Sequence, residues 1–322
     1  MYEKRLSIII PFYNVEQYIA QCLDSVYRQD IPEEEYEVIC VNDASPDHSR
    51  DIVLEYQKQH KNLVLIEHEH NKKLGAARNT GRSIARGKYI WNVDSDDYIA
   101  ENCLSAVLRQ CEQNDLDILM FNLASHTEGV VKTANFPFCV SNAPQDGISC
   151  LNQNLSEIGR FCPVWRYIYK RDFLDVNKIY SPEINMGEDV PYAFKSLLFA
   201  KKVLLVNDVN YYYRINPASL TGVSTLKPIV LYEKCFVGAR LVYDLLKYIP
   251  EGNDALVRVF KNMIRSIIYL YPNYFAKMSD RERKQFSQIC RQYFITNLCL
   301  FRMMGGKCKV VYLKCLLISC FR

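Results

Sequence analysis

The chain has 322 residues, 49% of them hydrophobic and 24% charged, with 12 Gly and 12 Pro. At roughly 150 residues per domain this is two domains, or one large α/β domain with an appendage, and such a composition excludes disordered, collagenous and low-complexity chains. The net charge of +4 hides an asymmetry: residues 251–322 hold 13 Lys and Arg against 4 Asp and Glu, and residues 1–250 hold 27 against 32. The pattern is that of an acidic body followed by a basic contact surface.

In chain order, Leu6 to Pro11 is a β-rich run closed by proline, and Val15 to Gln29 then places Tyr18, Cys22 and Val26 at helical spacing. The alternation continues with strands over Glu37–Asp43, Asn62–His68, Lys88–Asp94 and Asp117–Asn122, and helices over Ser49–His60, Gly75–Arg86 and Glu101–Gln113. Alternating β and α at this spacing predicts a mostly parallel sheet with helices on both faces, whose ligands bind in loops at the carboxyl ends of the strands. After about residue 125 the alternation weakens. From Pro228 onward the pattern is helical, with stripes Leu231, Cys235, Ala239, Val242, Leu246, then Leu256, Phe260, Met263, Ile267, Tyr271, then Phe286, Ile289, Cys290, Tyr293, Phe294. These stripes are read as the core of a helical subdomain.

The first glycine is Gly75, and strand one runs directly into Phe12-Tyr13-Asn14-Val15-Glu16. A dinucleotide-binding Rossmann turn and a P-loop both need glycine there for the backbone to approach phosphates, so both are excluded. A bound nucleotide would have to be held by side chains and a metal. The 13 Cys are spread from Cys22 to Cys320 without a CxxC pair, so reduced thiols and a cytoplasmic location are expected. His68 and His70 flank Glu69 with no further ligand in view, so zinc is not expected. No uncharged apolar run reaches ~18 residues, and the apolar stretch before Pro11 is too short for a signal peptide core.

Strand two ends in Asn42-Asp43-Ala44-Ser45 and the strand over Lys88–Asp94 ends in Asp94-Ser95-Asp96-Asp97. In a parallel sheet these acids meet at one edge, where they repel one another unless a hard divalent cation with oxygen ligands, Mg²⁺ or Mn²⁺, sits among them. The competing reading has Asp94 to Asp97 capping the helix that begins near Glu101.

These residues resemble a known family. Ser7 to Glu16 (SIIIPFYNVE), Val41 to Ser45 (VNDAS), Gly75 to Gly81 (GAARNTG), Asp94 to Asp97 (DSDD) and Asn185 to Val190 (NMGEDV) follow the motif order of the family 2 glycosyltransferases, over roughly residues 5–220. The resemblance implies a GT-A fold: a Rossmann-like, mostly parallel sheet with helices on both faces, here followed by a C-terminal helical subdomain. The expected division is 1–222 for the GT-A domain, with a nucleotide-sugar half (1–124) and an acceptor half (125–222), and 223–322 for the basic helical part.

Residue by residue, the resemblance implies that Pro11, Tyr13 and Glu16 line the nucleoside pocket and that Asp43 accepts the imide N–H of a uracil. Gly75, Arg78 and Lys73 contact the donor, with Arg78 a planar donor fork for phosphate; the GAARNTG run also reads as small residues packing a helix on the sheet. Asp94, Ser95 and Asp96 form the DxD motif, Asp94 and Ser95 on the nucleotide sugar with Asp94 near the ribose, Asp96 with Asp94 the metal residues, and Mn²⁺ or Mg²⁺ the cofactor. Asp189, with Glu188 beside it, is the general base, a role compatible with capping the apolar helix that follows. Trp165, in Pro163 to Arg171 (PVWRYIYKR) with Arg166 in the family's lysine place, would stack on acceptor sugar or lie in the core, and Arg214, in Tyr211 to Ser219 (YYYRINPAS), would reach the diphosphate. The family's Asp-Gly-Ser turn is Asp43-Ala44-Ser45 here, without its glycine.

The implied function is transfer of a hexose or N-acetylhexosamine, with inversion, from a nucleoside diphosphate sugar, UDP-linked, to a hydroxyl of a glycan or lipid-linked acceptor in surface polysaccharide synthesis. The alternative is a non-catalytic sugar-nucleotide or glycan-binding module. Lys307, Lys309 and Lys314 beside apolar residues suit a peripheral contact with an inner membrane leaflet. No nucleic-acid partner is expected, because the basic residues form no recognisable binding motif.

Overall fold

A computed structural model describes residues 3–127, 130–133, 140, 143–215, 226–293 and 297–317. The β-α alternation becomes β1 (Lys4–Phe12), α1 (Ile19–Tyr27), β2 (Tyr36–Asn42), α2 (Ser49–Gln59), β3 (Leu63–Glu67), α3 (Lys73–Ile84), β4 (Gly87–Asn92), β5 (Tyr98–Ile99), α4 (Leu104–Gln113) and β6 (Ile118–Thr127). There follow β7 (Val130–Thr133), α5 (Gly147–Gln153), β8 (Tyr167–Lys170), α6 (Arg171–Val176), α7 (Asp189–Phe199) and β9 (Val203–Arg214). The strand order is β3-β2-β1-β4-β8-β6-β9-β5, with β7 pairing β6.

The parallel part lies where the alternation predicts it, since β1 pairs β2 and β4 and β2 pairs β3, all in parallel. Beyond β4 the sheet is mixed: β8 runs antiparallel to β4 and β6, and β9 parallel to β6. The switch at β8 is what the weakened pattern after residue 125 reflects.

Period-2 side-chain alternation builds two cores. Leu6, Ile8, Ile10 and Phe12 are buried with Ile19, Cys22, Leu23 and Val26 of α1 and Leu104, Val107, Leu108 and Cys111 of α4. On the other face α3 sits close: a Cβ on Gly81 would come within 2.5 Å of Ile9 Cγ2, and one on Gly75 within 2.1 Å of the Pro182 carbonyl oxygen. The run of small residues is thus the seat of a helix on a sheet.

The contacts divide the chain into two units, the described residues of Met1–Glu183 and Lys195–Ile215, and those of Ile184–Phe194 and Asn216–Arg322. The segment bearing Glu188 and Asp189 therefore goes with the C-terminal helices, not with the 1–222 domain in which the sequence reading put it; the 222/223 boundary lies outside the described residues. Those helices are α8 (Pro228–Tyr232), a π-helical turn Glu233–Val237, α9 (Gly238–Leu245), α10 (Asp254–Tyr269), α11 (Tyr271–Lys277), α12 (Asp280–Gln292), α13 (Leu298–Met303) and α14 (Gly306–Leu317). Leu231, Cys235, Ala239, Val242, Phe286 and Cys290 are fully buried as expected, but the α10 stripe runs Leu256, Phe260, Ile264, Ile268. Met263 and Ile267 stand one residue off that i, i+4 line and are half-buried, and Tyr293 is exposed. Phe294, Ser219 and the side chains of Lys307 and Lys314 lie outside the described residues. Among the described residues no helix is long and apolar enough to cross a membrane.

Candidate active site

The sheet's order turns around at β1, which has β2 on one side and β4 on the other. Such a switch point opens a crevice at the carboxyl edge. Phe12 pairs with Asn42 and Ile9 with Asn92, Asp43 N–H donates to Phe12 O at 3.0 Å, and Val93 N–H donates to Ile9 O at 2.9 Å. Asp43 and Asp94 thus follow β2 and β4 at the same edge, on either side of β1.

Asp43 is 4% exposed. Its Oδ1 accepts the Lys72 N–H at 2.7 Å and its Oδ2 the Lys73 N–H at 2.9 Å. The carboxylate therefore caps α3 from across the chain, where the helix dipole favours negative charge. His68, 8% exposed, lies with Nδ1 2.8 Å from Asp43 Oδ1 and Nε2 2.9 Å from Thr80 Oγ1. From its spacing His68 is weighed only as a zinc ligand, and no local pattern marks its buried place after β3 beside Asp43.

The turn after Asp43 keeps its left-handed backbone without glycine, Ala44 having φ 58°. Asn14 and Lys73 also have positive φ, 56° and 77°, so three side-chain-bearing residues at this one edge hold a strained conformation. Glu16 is exposed and ties loops together: its carboxylate accepts the His48 N–H at 2.9 Å, and its own N–H donates to Asp47 at 2.8 Å. Tyr13 is 47% exposed, whereas Pro11 is buried within β1. Lys73 is exposed and Gly75 buried under Pro182.

Around the acidic loop, Arg78 is 2% exposed and donates through Nη2 to Asp94 Oδ1 at 2.8 Å. The expected phosphate fork is thus engaged with the DxD motif itself. Ser95 is buried. Asp96 has its carboxyl pushed up to about 6 by burial and by the charge of Asp94 beside it, and Asp97, 1% exposed, is raised well above the usual carboxylate range by burial and by Asp96 and Asp94. Arg214 donates through Nε to the Asp96 carbonyl oxygen at 2.9 Å, and its guanidinium lies 5.1 Å from the Tyr18 ring centroid. Asp97 and its partner Tyr211 had no assigned role from sequence; an acid directly after a DxD at the end of a buried strand was the available signal.

Trp165 is 6% exposed and stacks on Tyr211 with ring centroids 4.3 Å apart, so the structure places it in the core. Arg166, at the family's lysine place, is 1% exposed, and its guanidinium donates to the backbone oxygen of Phe121 at 3.1 and 3.3 Å. In the other unit, Glu188 is buried and Asp189 opens α7. Gly187 before them has φ 92°, and the Asn185 N–H donates to Glu233 Oε2 at 2.7 Å. A left-handed residue and a half-buried anchor thus precede the start of α7.

Hard carboxylate oxygens that repel one another fit a divalent cation with phosphate oxygens completing its shell. Among the described residues no three His, Cys, Asp or Glu side chains converge closely enough to hold an ion by themselves.

Residues 7–171 match the model of glycosyl transferase family 2, and the chain belongs to that family. It is 34% identical over 222 residues to the uncharacterized glycosyltransferase EpsJ of Bacillus subtilis, covering 68% of this chain and 63% of that one. It is 36% identical over 214 residues to a poly(ribitol-phosphate) beta-glucosyltransferase of Bacillus spizizenii, covering 66% and 32%. The match thus spans between about a third and under two thirds of those relatives' length. A crystal structure of S. aureus TarS 1–349 in complex with UDP-GlcNAc matches with a TM-score of 0.72 at 23% identity, over 95% of this chain and 83% of that one. A Pyrobaculum calidifontis mannosyltransferase in complex with GDP-Man and Mn²⁺ matches with a TM-score of 0.57 at 14% identity, over 99% and 86%. These likenesses show the fold: a GT-A-type mixed α/β sheet followed by helices.

Proposed function

We propose that the protein is an inverting glycosyltransferase that moves a hexose or N-acetylhexosamine from a UDP-linked donor to a hydroxyl of a glycan or lipid-linked acceptor, on the cytoplasmic side of surface polysaccharide synthesis. The observation that carries this reading is the acidic loop: Asp96, raised to about 6 by burial and by Asp94, at the sheet edge where the chain order turns around. Its family and the relatives named above support the reaction class.

Asp94 and Asp96 would hold Mn²⁺ or Mg²⁺, which when bound neutralises the diphosphate that leaves. Arg214, on the Asp96 carbonyl, supplies a further cation at the same loop. Asp43 keeps one lone-pair direction beyond its three partners, which would accept the uracil imide N–H, with Tyr13 exposed beside it to cover the base. Asp189, with Glu188 beside it, takes the proton of the acceptor hydroxyl as that oxygen bonds to the anomeric carbon and the anomeric carbon–phosphate oxygen bond breaks. The product carries inverted configuration and UDP departs with the bonding electrons. The basic residues of 251–322, with Val310 and Leu313 exposed on α14, would bring the enzyme to an anionic membrane that presents the acceptor.

The test is UDP release from UDP-glucose and UDP-N-acetylglucosamine with and without Mn²⁺, beside a thermal-shift comparison of UDP-, GDP- and dTDP-sugars. Mn²⁺-dependent UDP release that Asp189→Asn lowers at least ~10²-fold is expected. Binding of UDP-sugar with no turnover under any metal or acceptor condition would leave a binding module in place of an enzyme.

A further inference from the structure

We propose that Tyr211 and Asp97 form a clamp that fixes the shape of the Asp94–Asp97 loop, and that both are positioning residues for its metal and diphosphate chemistry; the proposal rests on the reading of that loop given above. The Tyr211 hydroxyl accepts the Asp94 N–H at 3.1 Å and donates to Asp97 Oδ2 at 2.8 Å. The other oxygen of Asp97 accepts the Arg214 N–H at 2.7 Å, and the Asp97 N–H closes the turn on the Asp94 carbonyl at 3.0 Å. Both ends of the loop are therefore held by the last residues of β9, which also pair with β5 immediately after the loop, Tyr98 opposite Tyr212 and Ile99 opposite Tyr211.

The clamp is locked in turn. Trp165 stacks on Tyr211, and the Trp165 carbonyl accepts Trp91 Nε1–H at 2.9 Å. Trp91 belongs to β4, the strand that delivers Asp94. The circuit β4, acidic loop, Tyr211, Trp165, Trp91 returns to its starting strand, so the loop is referenced to the sheet at more than one point. Groups that orient metal-binding residues typically change metal affinity by ~10–100-fold when removed. A buried Tyr–Asp pair of purely structural value would change stability alone, and the experiment separates the two.

Tyr211→Phe keeps the ring on Trp165 and removes one oxygen. Tyr36→Phe is the control: it removes a hydroxyl bonded to the Val26 carbonyl at 3.2 Å, in the same unit but at the other end of β2 from Asp43. Mn²⁺ binding is measured by the electron paramagnetic resonance signal of the free ion in the presence of UDP, with urea midpoints alongside. Tyr211→Phe is expected to weaken Mn²⁺ binding about 10–100-fold, and Asp97→Asn, whose amide NH2 must face either the Tyr211 hydroxyl or the Arg214 N–H, both donors to Asp97, to do the same. Tyr36→Phe should lower the urea midpoint and leave Mn²⁺ binding unchanged. If one clamp variant fails to fold, the other gives the same readout. Wild-type Mn²⁺ affinity in a folded clamp variant overturns the clamp. A wild-type protein that binds UDP without help from Mn²⁺ overturns the metal reading and the clamp together, so the two failures are told apart by wild-type data alone.

Discussion

Replacing Asp96 by Asn should stabilise the metal-free protein while abolishing transfer. The carboxyl is raised from 3.8 to about 6, about two units, and at ~1.36 kcal/mol per unit its charge costs the fold up to about 3 kcal/mol. The native state keeps this proton up to about pH 6, whereas the unfolded chain loses it near 3.8. Between those values the native state binds more protons, so wild-type stability falls as pH rises through the window. Asparagine carries no such charge, and Asp97 is relieved as well, since Asp96 is one of the charges that raise it. Both tryptophans, Trp91 and Trp165, are buried in the sheet-bearing unit, so their fluorescence during urea unfolding reports that unit. Midpoints at pH 4 to 8 should show Asp96→Asn level with wild type at the acid end and ahead of it above pH 6.5. Adding Mn²⁺ with UDP should raise the wild type and leave the variant unmoved. Equal stability at pH 7.5, or a gap of the same size at every pH, would refute the reasoning.

Asp189→Asn should lower kcat at least ~10²-fold with UDP affinity nearly unchanged, because general base catalysis contributes in that range; steady-state kinetics and calorimetric UDP titration check it. Gly75→Ala should destabilise by about 1–3 kcal/mol, since its Cβ would meet the Pro182 carbonyl oxygen at 2.1 Å and only backbone movement relieves it; urea midpoints would show this. Ala44→Gly should add roughly 0.5–1 kcal/mol by relieving the left-handed turn (φ 58°), the gain being the αL penalty less the extra freedom of the unfolded chain. The same midpoints decide it, and a loss of stability there would mean that the Ala44 methyl packs more than it strains.

The β-α alternation of the first 125 residues is legible because the inner strands β1, β2 and β4 are buried almost throughout and the helices between them bury one face, which leaves a pattern in the residues themselves. Asp43, Asp94 and Asp96 were legible for the same reason, as acids placed directly after apolar strands. The partner of Arg78 was not: the sequence favours a phosphate fork there, and its pairing with Asp94 depends on α3 and β4 meeting in space. Tyr211 and Asp97 stand 114 residues apart, and nothing local marks them as partners. The grouping of Ile184–Phe194 with the C-terminal helices is not legible in the sequence because it rests on contacts distant along the chain, such as Phe194 edge-on to Phe260 at 4.9 Å.

That placement carries a lesson for engineering. The backbone leaves the sheet-bearing unit after Glu183 and rejoins it at Lys195, part-way along α7. Swapping the C-terminal helices for those of another enzyme, with a junction near 215, would part residues 184–194 from the helices they group with and leave Phe194 without Phe260. A workable chimaera has to transplant 184–194 together with the helices, and in doing so it transplants Asp189, the proposed proton acceptor, as well.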